Sequence, residues 1–317
     1  MRNFAAALML ARGLAFGQAP PSVELQHLYT FGSRHGIHPP RILNRRLSTA
    51  ALGQSEHPYG LTFPVAVTSD ARRRVWITDS GTSSVHVFDR VSGQYREIKR
   101  VGDLVLQRPS GVAADAQGRV YLTDSVLGGV FVFDENGEYD RSLTKPGAGQ
   151  LESPAAIAIS EDGRTIYVAD PPRNVIVAFN REGEVDETIH LPEAARQPVG
   201  VSVITNLIYV LGSQQHRVET FSPNGRQRGE VRWDGIDCPS AFAYDAVRRR
   251  LLVANPRGTT VGVFNEEGQN LGVFGHFGDG IDQMQHVDFL YVDPQGLVYL
   301  VDSHQGKVLV FADAPAN

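Results

Sequence analysis

The chain has 317 residues, of which 42% are hydrophobic and 21% are charged, and its formal net charge is −5. An all-β closed fold reaches this length as one domain. The acidic balance argues against nucleic acid as a partner, because phosphate binding needs a basic footprint. No stretch approaches eighteen uninterrupted apolar residues, so we expect no transmembrane segment.

The first nineteen residues, MRNFAAALMLARGLAFGQA, resemble a secretory signal peptide. Arg2 precedes an apolar run, and small residues follow it, which is the order of regions in such a signal. We therefore predict a signal peptide at residues 1–19 and a periplasmic or extracellular location. Arg12 interrupts the apolar run and leaves a cytoplasmic location as the alternative.

Two segments lie between this signal and the first repeat. Residues 24–32, ELQHLYTFG, have the pattern of an outer strand, and NLGVFG at 270–275 is its closest match. Residues 33–63 contain several prolines and glycines and are long for a connector, so we expect a capping or connecting loop. This loop either covers the channel mouth as packing or shapes a ligand pocket.

A strand pair of the type VYLTDSVLGGVFVFD, found at 120–134, recurs six times. Its copies begin at residues 75, 120, 166, 208, 251 and 298, so they are 42 to 47 residues apart. That spacing fits a propeller blade of four short strands. Six copies predict an all-β, six-bladed β-propeller of four-stranded antiparallel blades.

Each pair is preceded by a short strand that opens with proline and small residues, as in PSGVAAD at 109–115. Small side chains suit the innermost strand, where the blades converge. We predict one domain over residues 20–317, with blades that start near residues 64, 109, 154, 198, 239 and 287. The chain ends after the third strand of blade six, so residues 24–32 are predicted to pair with Val308–Phe311 and close the ring.

The repeated pattern resembles the NHL repeat. It reads Pro-x-Gly-Val-Ala-x-Asp, then Gly-Arg-Val-Tyr-x-x-Asp-Ser, then Val-x-Val-Phe-Asp, and blade two follows it closely from Pro109 to Gly137. The resemblance covers about residues 60–317. Blade six departs at its opening, around His286, and blade four has Gly212 in place of the aspartate. The resemblance implies the fold, but the family includes scaffolds, ligand-binding modules and a few lyases.

An aspartate or asparagine ends the second strand of five blades. Asp and Asn favour tight turns by hydrogen-bonding their own backbone, so we interpret these residues as structural and not as a carboxylate ring. The five turn residues are Asp79, Asp124, Asp170, Asn255 and Asp302. Two arginine runs, at 72–74 and 248–250, fall in the turns between first and second strands, and we expect them to be solvated.

Function is expected where the repeats differ. The residues beside the opening proline should ring the channel mouth, and blades two, five and six contribute polar ones. These candidates for ligand binding are Arg108, Ser110, Cys238, Ser240, His286 and Asp288. A polar crescent that faces an apolar one is typical of a small-molecule pocket. A hydrated channel with satisfied polar groups is the alternative.

The enzymatic hypotheses find little support in the sequence. Some NHL-type propellers are zinc lyases whose histidines come from different inner strands, and catalytic zinc takes three protein ligands. Only His286 occupies an inner-strand position, so we predict no metal and no cofactor. Antibiotic-cleaving propeller lyases use a His and Glu pair, and His286 has no such Glu. Cys238, the only cysteine, would need a base such as His286 to act as a nucleophile.

We therefore expect a non-enzymatic module that binds a ligand, either a protein or a small molecule, or acts as a scaffold. Its working surface would be the top face, which carries the loops between second and third strands and the loops that enter each blade. The alternative is a lyase or hydrolase centred on His286, Asp288, Arg108 and Cys238.

Overall fold

The computed structural model describes residues 25–32, 60–144, 147, 149–213, 217–231, 233, 236, 239–255, 260–280 and 282–313. Six four-stranded antiparallel sheets account for nearly all of the regular structure in these ranges. The signal-like residues 1–19 and most of the predicted connector, residues 33–59, lie outside the described residues.

The first three blades follow one another along the chain. Blade one contains β2 Pro64–Ser69, β3 Arg74–Asp79, β4 Ser84–Asp89 and β5 Tyr95–Ile98. A small hairpin follows, with β6 Arg100–Val101 and β7 Leu104–Val105. Blade two contains β8 Pro109–Ala114, β9 Val120–Asp124, β10 Gly129–Phe133 and β11 Tyr139–Ser142. Blade three contains β12 Ala156–Ile159, β13 Ile166–Asp170, β14 Val175–Phe179 and β15 Val185–His190.

The second half repeats this order. A 3₁₀ turn at Glu193–Ala195 leads into blade four, with β16 Pro198–Ile204, β17 Leu207–Gly212, β18 Arg217–Phe221 and β19 Gln227–Val231. Blade five contains β20 Ala241–Asp245, β21 Arg250–Asn255, β22 Thr260–Asn265 and β23 Asn270–Phe274. Blade six contains β24 Phe289–Val292, β25 Val298–Asp302 and β26 Lys307–Asp313, and its fourth strand is β1 Leu25–Gly32.

The closing strand joins the two ends of the chain. β1 runs antiparallel to β26, with Leu25 opposite Asp313 and Phe31 opposite Val308. Tyr29 and Phe31 are buried in the apolar cluster between blades six and one. The predicted fold class is therefore confirmed, including ring closure by an N-terminal strand added to the last blade.

The core lies between the blades. Six clusters of buried side chains in the described part of the chain each join two neighbouring blades. Trp76 of blade one and Phe131 of blade two, both fully buried, belong to one of them. Near the axis the strands approach closely: a Cβ on Gly111 would lie 3.0 Å from the Cα of Ala156 in the next blade. Small residues on the inner strands are what this crowding requires.

The arginine runs differ from the expected solvated charges. Arg74, the last residue of its run, is buried, and its Nε donates to Oδ2 of Asp70 at 2.5 Å. Arg250 is buried in the same way beside Asp245, with 3.0 Å between its Nε and Oδ2. The expectation is wrong for these two residues, because a buried turn aspartate needs a cation or hydrogen-bond donors beside it.

No helix in the residues that the structure describes has the length and apolar character needed to cross a membrane.

Candidate functional site

The turn aspartates fasten the loops of the top face. Asp124 is fully buried; Oδ2 accepts the main-chain N–H groups of Gln107 and Arg108, and Oδ1 those of Val126 and Leu127. The carboxylate thus ties the loop that enters its blade to the loop between the second and third strands.

Other blades repeat this arrangement. The fully buried carboxylates of Asp79, Asp170 and Asp302 also accept N–H groups from the residues just before their inner strands. Asn255 occupies the same position at the end of β21 and lies opposite Thr260 in the sheet. These contacts give the aspartates a structural task, since their oxygens face the backbone.

Both candidate serines, Ser110 and Ser240, link neighbouring blades. The buried Ser110 donates to the carbonyl of Pro154 in blade three at 2.7 Å. Ser240 donates to the carbonyl of Val287 in blade six at 2.6 Å, and it also lines the channel. Ser303, which follows the second strand of blade six, donates to the carbonyl of Pro64 of blade one at 2.6 Å. The hydroxyls of Ser110 and Ser240 are therefore engaged between blades.

The remaining candidates from blades two and five are Arg108 and Cys238. The side chain of Arg108 is exposed on the top face, and its main-chain N–H binds Asp124. Cys238 lies outside the described residues.

Blade six brings His286 and Asp288 together. The Nδ1 of His286 lies 2.7 Å from Oδ1 of Asp288, and the side chains are 34% and 28% exposed. The other oxygen, Oδ2, accepts the main-chain N–H of Ser303 at 2.9 Å. A carboxylate only accepts hydrogen bonds, so Nδ1 carries the proton and Nε2 of His286 offers its lone pair. A carboxylate that orients a half-exposed imidazole is the arrangement of an acid–base pair.

A second histidine completes the cluster. His304 lies in the turn between β25 and β26, and its exposed ring meets that of His286 edge to face with 5.5 Å between centroids. His286, Asp288 and His304 each offer one ligand atom, and these atoms lie within 4.8 Å of one another. The sequence analysis did not single out His304, although the loop between the second and third strands of blade six belongs to the same face as His286. The shared face was the signal that could have joined them.

The charge of Lys307 sits close to this turn. Its Nζ donates to the carbonyl of Gly280 at 2.9 Å. Burial lowers the pKa of Lys307, while the carboxylates of Asp302, Asp279 and Asp282 act in the opposite direction. Three carboxylates therefore act on the ammonium group of Lys307 beside this turn.

The central channel opens beside the cluster. It has a volume of about 420 Å³ and is lined mainly by small and apolar side chains of the inner strands, with Asp288 and Ser240 among its polar lining residues. Two aromatic side chains stand exposed on the top face: Phe63, which is 46% exposed, and Phe277, which is 63% exposed. Phe63 directly precedes Pro64, whose carbonyl accepts the hydrogen bond from Ser303 of blade six. The histidine cluster, the channel and the exposed rings thus share one face.

Comparison with known proteins supports the architecture. A family model described as a 6-bladed beta-propeller matches residues 102–220. The chain is a six-bladed β-propeller. A sequence comparison with curated proteins found no match.

Several solved structures share the fold. A catalytically inactive variant of virginiamycin B lyase from Staphylococcus aureus, solved with quinupristin, has a TM-score of 0.60 at 13% identity, over 87% of this chain and 84% of that chain. Hydrazine synthase of Kuenenia stuttgartiensis has a TM-score of 0.60 at 13% identity, over 81% and 97%. A chain of a nidogen–laminin complex has a TM-score of 0.56 at 16% identity, over 77% and 87%. At these identities the likeness is one of fold alone.

Proposed function

We propose that this chain is an exported propeller of the NHL type that binds a ligand on its top face without transforming it. The ligand would sit over the channel mouth and contact His286. The observation that carries the proposal is the partly exposed His286–Asp288 pair at this mouth. By contrast, the aspartates at the ends of β3, β9 and β13 are buried against the backbone.

The rest of the face supports a ligand with an apolar body and a polar end. The channel offers a mainly apolar wall, and Phe63 and Phe277 expose aromatic surface on the same face. Nε2 of His286 can accept a hydrogen bond from a donor at the polar end, and the exposed guanidinium of Arg108 adds a positive charge to the same face. A mostly apolar concavity with a few fixed polar groups is the usual form of a small-molecule site. A peptide side chain inserted into the channel would need the same kind of surface.

Site-specific photocrosslinking in the source organism tests the proposal. p-Benzoylphenylalanine would replace Phe63 or Phe277 on the top face, and Val91 or Val247 in turns of the opposite face as controls. All four side chains are exposed, so their accessibility is matched. We expect a discrete adduct, either a small molecule or a protein, from the top positions alone. Adducts from the control positions only, or from none of the four, would reject the top face as the binding surface.

A second candidate is a lyase or hydrolase, and the His286–Asp288 geometry is the observation that favours it. Asp288 fixes the imidazole so that Nε2 faces away from the carboxylate, as a general base requires. A panel of esters and lactones, quinupristin included, would test it by mass spectrometry. Turnover by the wild type that disappears in His286→Ala would support the enzyme. Binding without turnover would support the first candidate.

Export belongs to the proposal because it rests on residues 1–19. Fractionation of the source cells, followed by N-terminal sequencing, tests it. A periplasmic or extracellular protein that begins near residue 20 would support export, and a cytoplasmic protein with an intact N-terminus would refute it.

A further inference from the structure

The His286, Asp288 and His304 side chains have the composition of a transition-metal site. Imidazole nitrogen suits zinc and its neighbours in the first transition row, whereas Mg²⁺ and Ca²⁺ prefer oxygen ligands. Catalytic and other open zinc sites use three protein ligands, such as two histidines and a carboxylate, and leave a position for a further ligand. Two imidazoles and one carboxylate within 4.8 Å of one another fit this description.

The distances require little movement for binding. Zinc–nitrogen and zinc–oxygen bonds of about 2.0–2.2 Å place neighbouring ligand atoms about 3 to 3.5 Å apart. Nδ1 of His286 and Oδ1 of Asp288 are 2.7 Å apart in a hydrogen bond. Binding of the ion would displace the Nδ1 proton, and the two atoms would then need to separate by less than about 1 Å. His304 is exposed on a turn, so its ring has the freedom to approach the other two. The ligand atoms of the cluster are at most 4.8 Å apart, so the imidazole of His304 needs to move by less than about 2 Å to reach the spacing of a zinc site.

One buried carboxylate holds both loops in position. Oδ2 of Asp302 accepts the N–H groups of Gln285 and His286, while Oδ1 accepts that of Gln305 in the turn that carries His304. Asp288 is held separately by the N–H of Ser303. The backbone on both sides of the cluster is thus fixed before any ion arrives, and such outer contacts raise metal affinity.

We propose that His286, Asp288 and His304 bind one divalent transition-metal ion, with Zn²⁺ as the representative. All three ligands come from blade six, on one side of the channel mouth. A further coordination position would remain for a carboxylate, carbonyl or similar oxygen of a bound ligand. This role of the ion rests on the proposed function, but the binding of the ion does not.

Metal titration of the tag-free full-length protein tests the site. Zn²⁺ affinity and stoichiometry would be measured by competition with a chromophoric chelator, and Co²⁺ absorption would report nitrogen and oxygen ligands. We expect one equivalent of Zn²⁺, unaffected by millimolar Mg²⁺ or Ca²⁺. No binding, binding of several weak equivalents, or displacement by Mg²⁺ or Ca²⁺ would overturn the proposal.

Matched variants locate the ion. His304→Ala, an exposed turn substitution that leaves the His286–Asp288 pair in place, should weaken Zn²⁺ binding at least about tenfold, as should His286→Ala. His276→Ala is the control. His276 is exposed, like His304, and lies in the loop between β23 and β24 that carries His286, but it is outside the cluster. Unchanged affinity in His304→Ala, or an equal loss in His276→Ala, would show that the ion binds elsewhere. Circular dichroism and the melting temperature confirm that each variant is folded.

The two proposals fail separately. Zinc binding at these residues without top-face photoadducts would leave the metal site standing and reject the ligand-binding function. Top-face adducts that persist in EDTA, together with no zinc binding by the purified protein, would do the reverse.

Discussion

The Nδ1 atom of His286 and the Oδ1 atom of Asp288 are 2.7 Å apart at the mouth of the propeller channel. His286 and Asp288 flank the position where the other inner strands open with proline. A carboxylate and an imidazole at this point place two polar side chains beside the channel mouth. Because the pair is about one-third exposed, it can be reached from solvent.

Asp302 is expected to act as a positioning residue for this pair. Asp302→Ala removes the acceptor for the N–H groups of Gln285, His286 and Gln305, and we expect a loss of about 2 to 3 kcal/mol in unfolding free energy. Asp124→Ala is the matched control, since Asp124 has the same bonds in a blade without the cluster. Urea unfolding should show similar losses for both variants. Only Asp302→Ala should also weaken Zn²⁺ binding, and equal affinities in the two variants would deny Asp302 this role.

Ring closure depends on β1. Deletion of residues 20–35 should abolish the cooperative thermal transition of the whole domain, because blade six then loses its outer strand. Phe31→Ala should cost about 3 to 5 kcal/mol, since this ring is buried and lies 4.6 Å from the ring of Phe88. Val185→Ala on the exposed outer strand of blade three should change stability by less than about 0.5 kcal/mol. An unchanged melting temperature after the deletion would disprove closure.

The buried ion pair of blade one should matter more than its exposed neighbours. Arg74→Ala leaves the fully buried Asp70 without its cation and should cost about 3 kcal/mol or more. Arg72→Ala, in the same turn but exposed, should cost less than about 1 kcal/mol. Chemical denaturation of both variants at one pH measures the difference. Equal losses of unfolding free energy in the two variants would mean that Arg74 acts as a surface charge like Arg72.

Stability should fall as the pH drops below about 6.5, and His86 should contribute to the fall. Burial lowers the pKa of His86, although Asp79 acts in the opposite direction. Above the unfolded pKa of about 6.5 both states are neutral, and no cost arises. Below it the unfolded chain takes up a proton first, so the unfolding free energy declines by up to about 1.4 kcal/mol per pH unit for each such histidine.

His86→Gln should therefore flatten the slope of unfolding free energy against pH between about pH 6.5 and 5. Burial also lowers the pKa of His27, so part of the slope should remain. Urea titrations at several pH values give both slopes. A slope identical to that of the wild type would show that His86 does not take part.

The sequence was sufficient for the architecture because the repeat is a property of every blade. Three local patterns predict the closed ring together. They are the repeated strand pair, the small residues of the inner strands and the outer-strand pattern of residues 24–32. The burial of Arg74 was missed because its partners include the carbonyls of Glu135 and Asn136 in the next blade, some sixty residues away.

The candidate site was predicted in part. His286 and Asp288 were found because they break the repeat at a known position. His304 was missed because its relation to His286 depends on two loops fastened to Asp302, which spacing along the chain does not express. Ser110 and Ser240 occupy similar places, but their hydroxyls reach carbonyls of the next blade. Their hydroxyls are therefore engaged between blades, whereas the His286 and Asp288 side chains are partly exposed. Only the three-dimensional packing of neighbouring blades shows this difference.

The yield of the Phe63 photoadduct in a His286→Ala background is the most direct test of ligand binding at the channel mouth. Because His286 is proposed to hold the polar end of the ligand, the yield should fall to that of the Val91 control on the opposite face. The same crosslinker in a His276→Ala background should keep the full yield. An undiminished adduct in folded His286→Ala protein would contradict the assignment of His286 as the ligand contact.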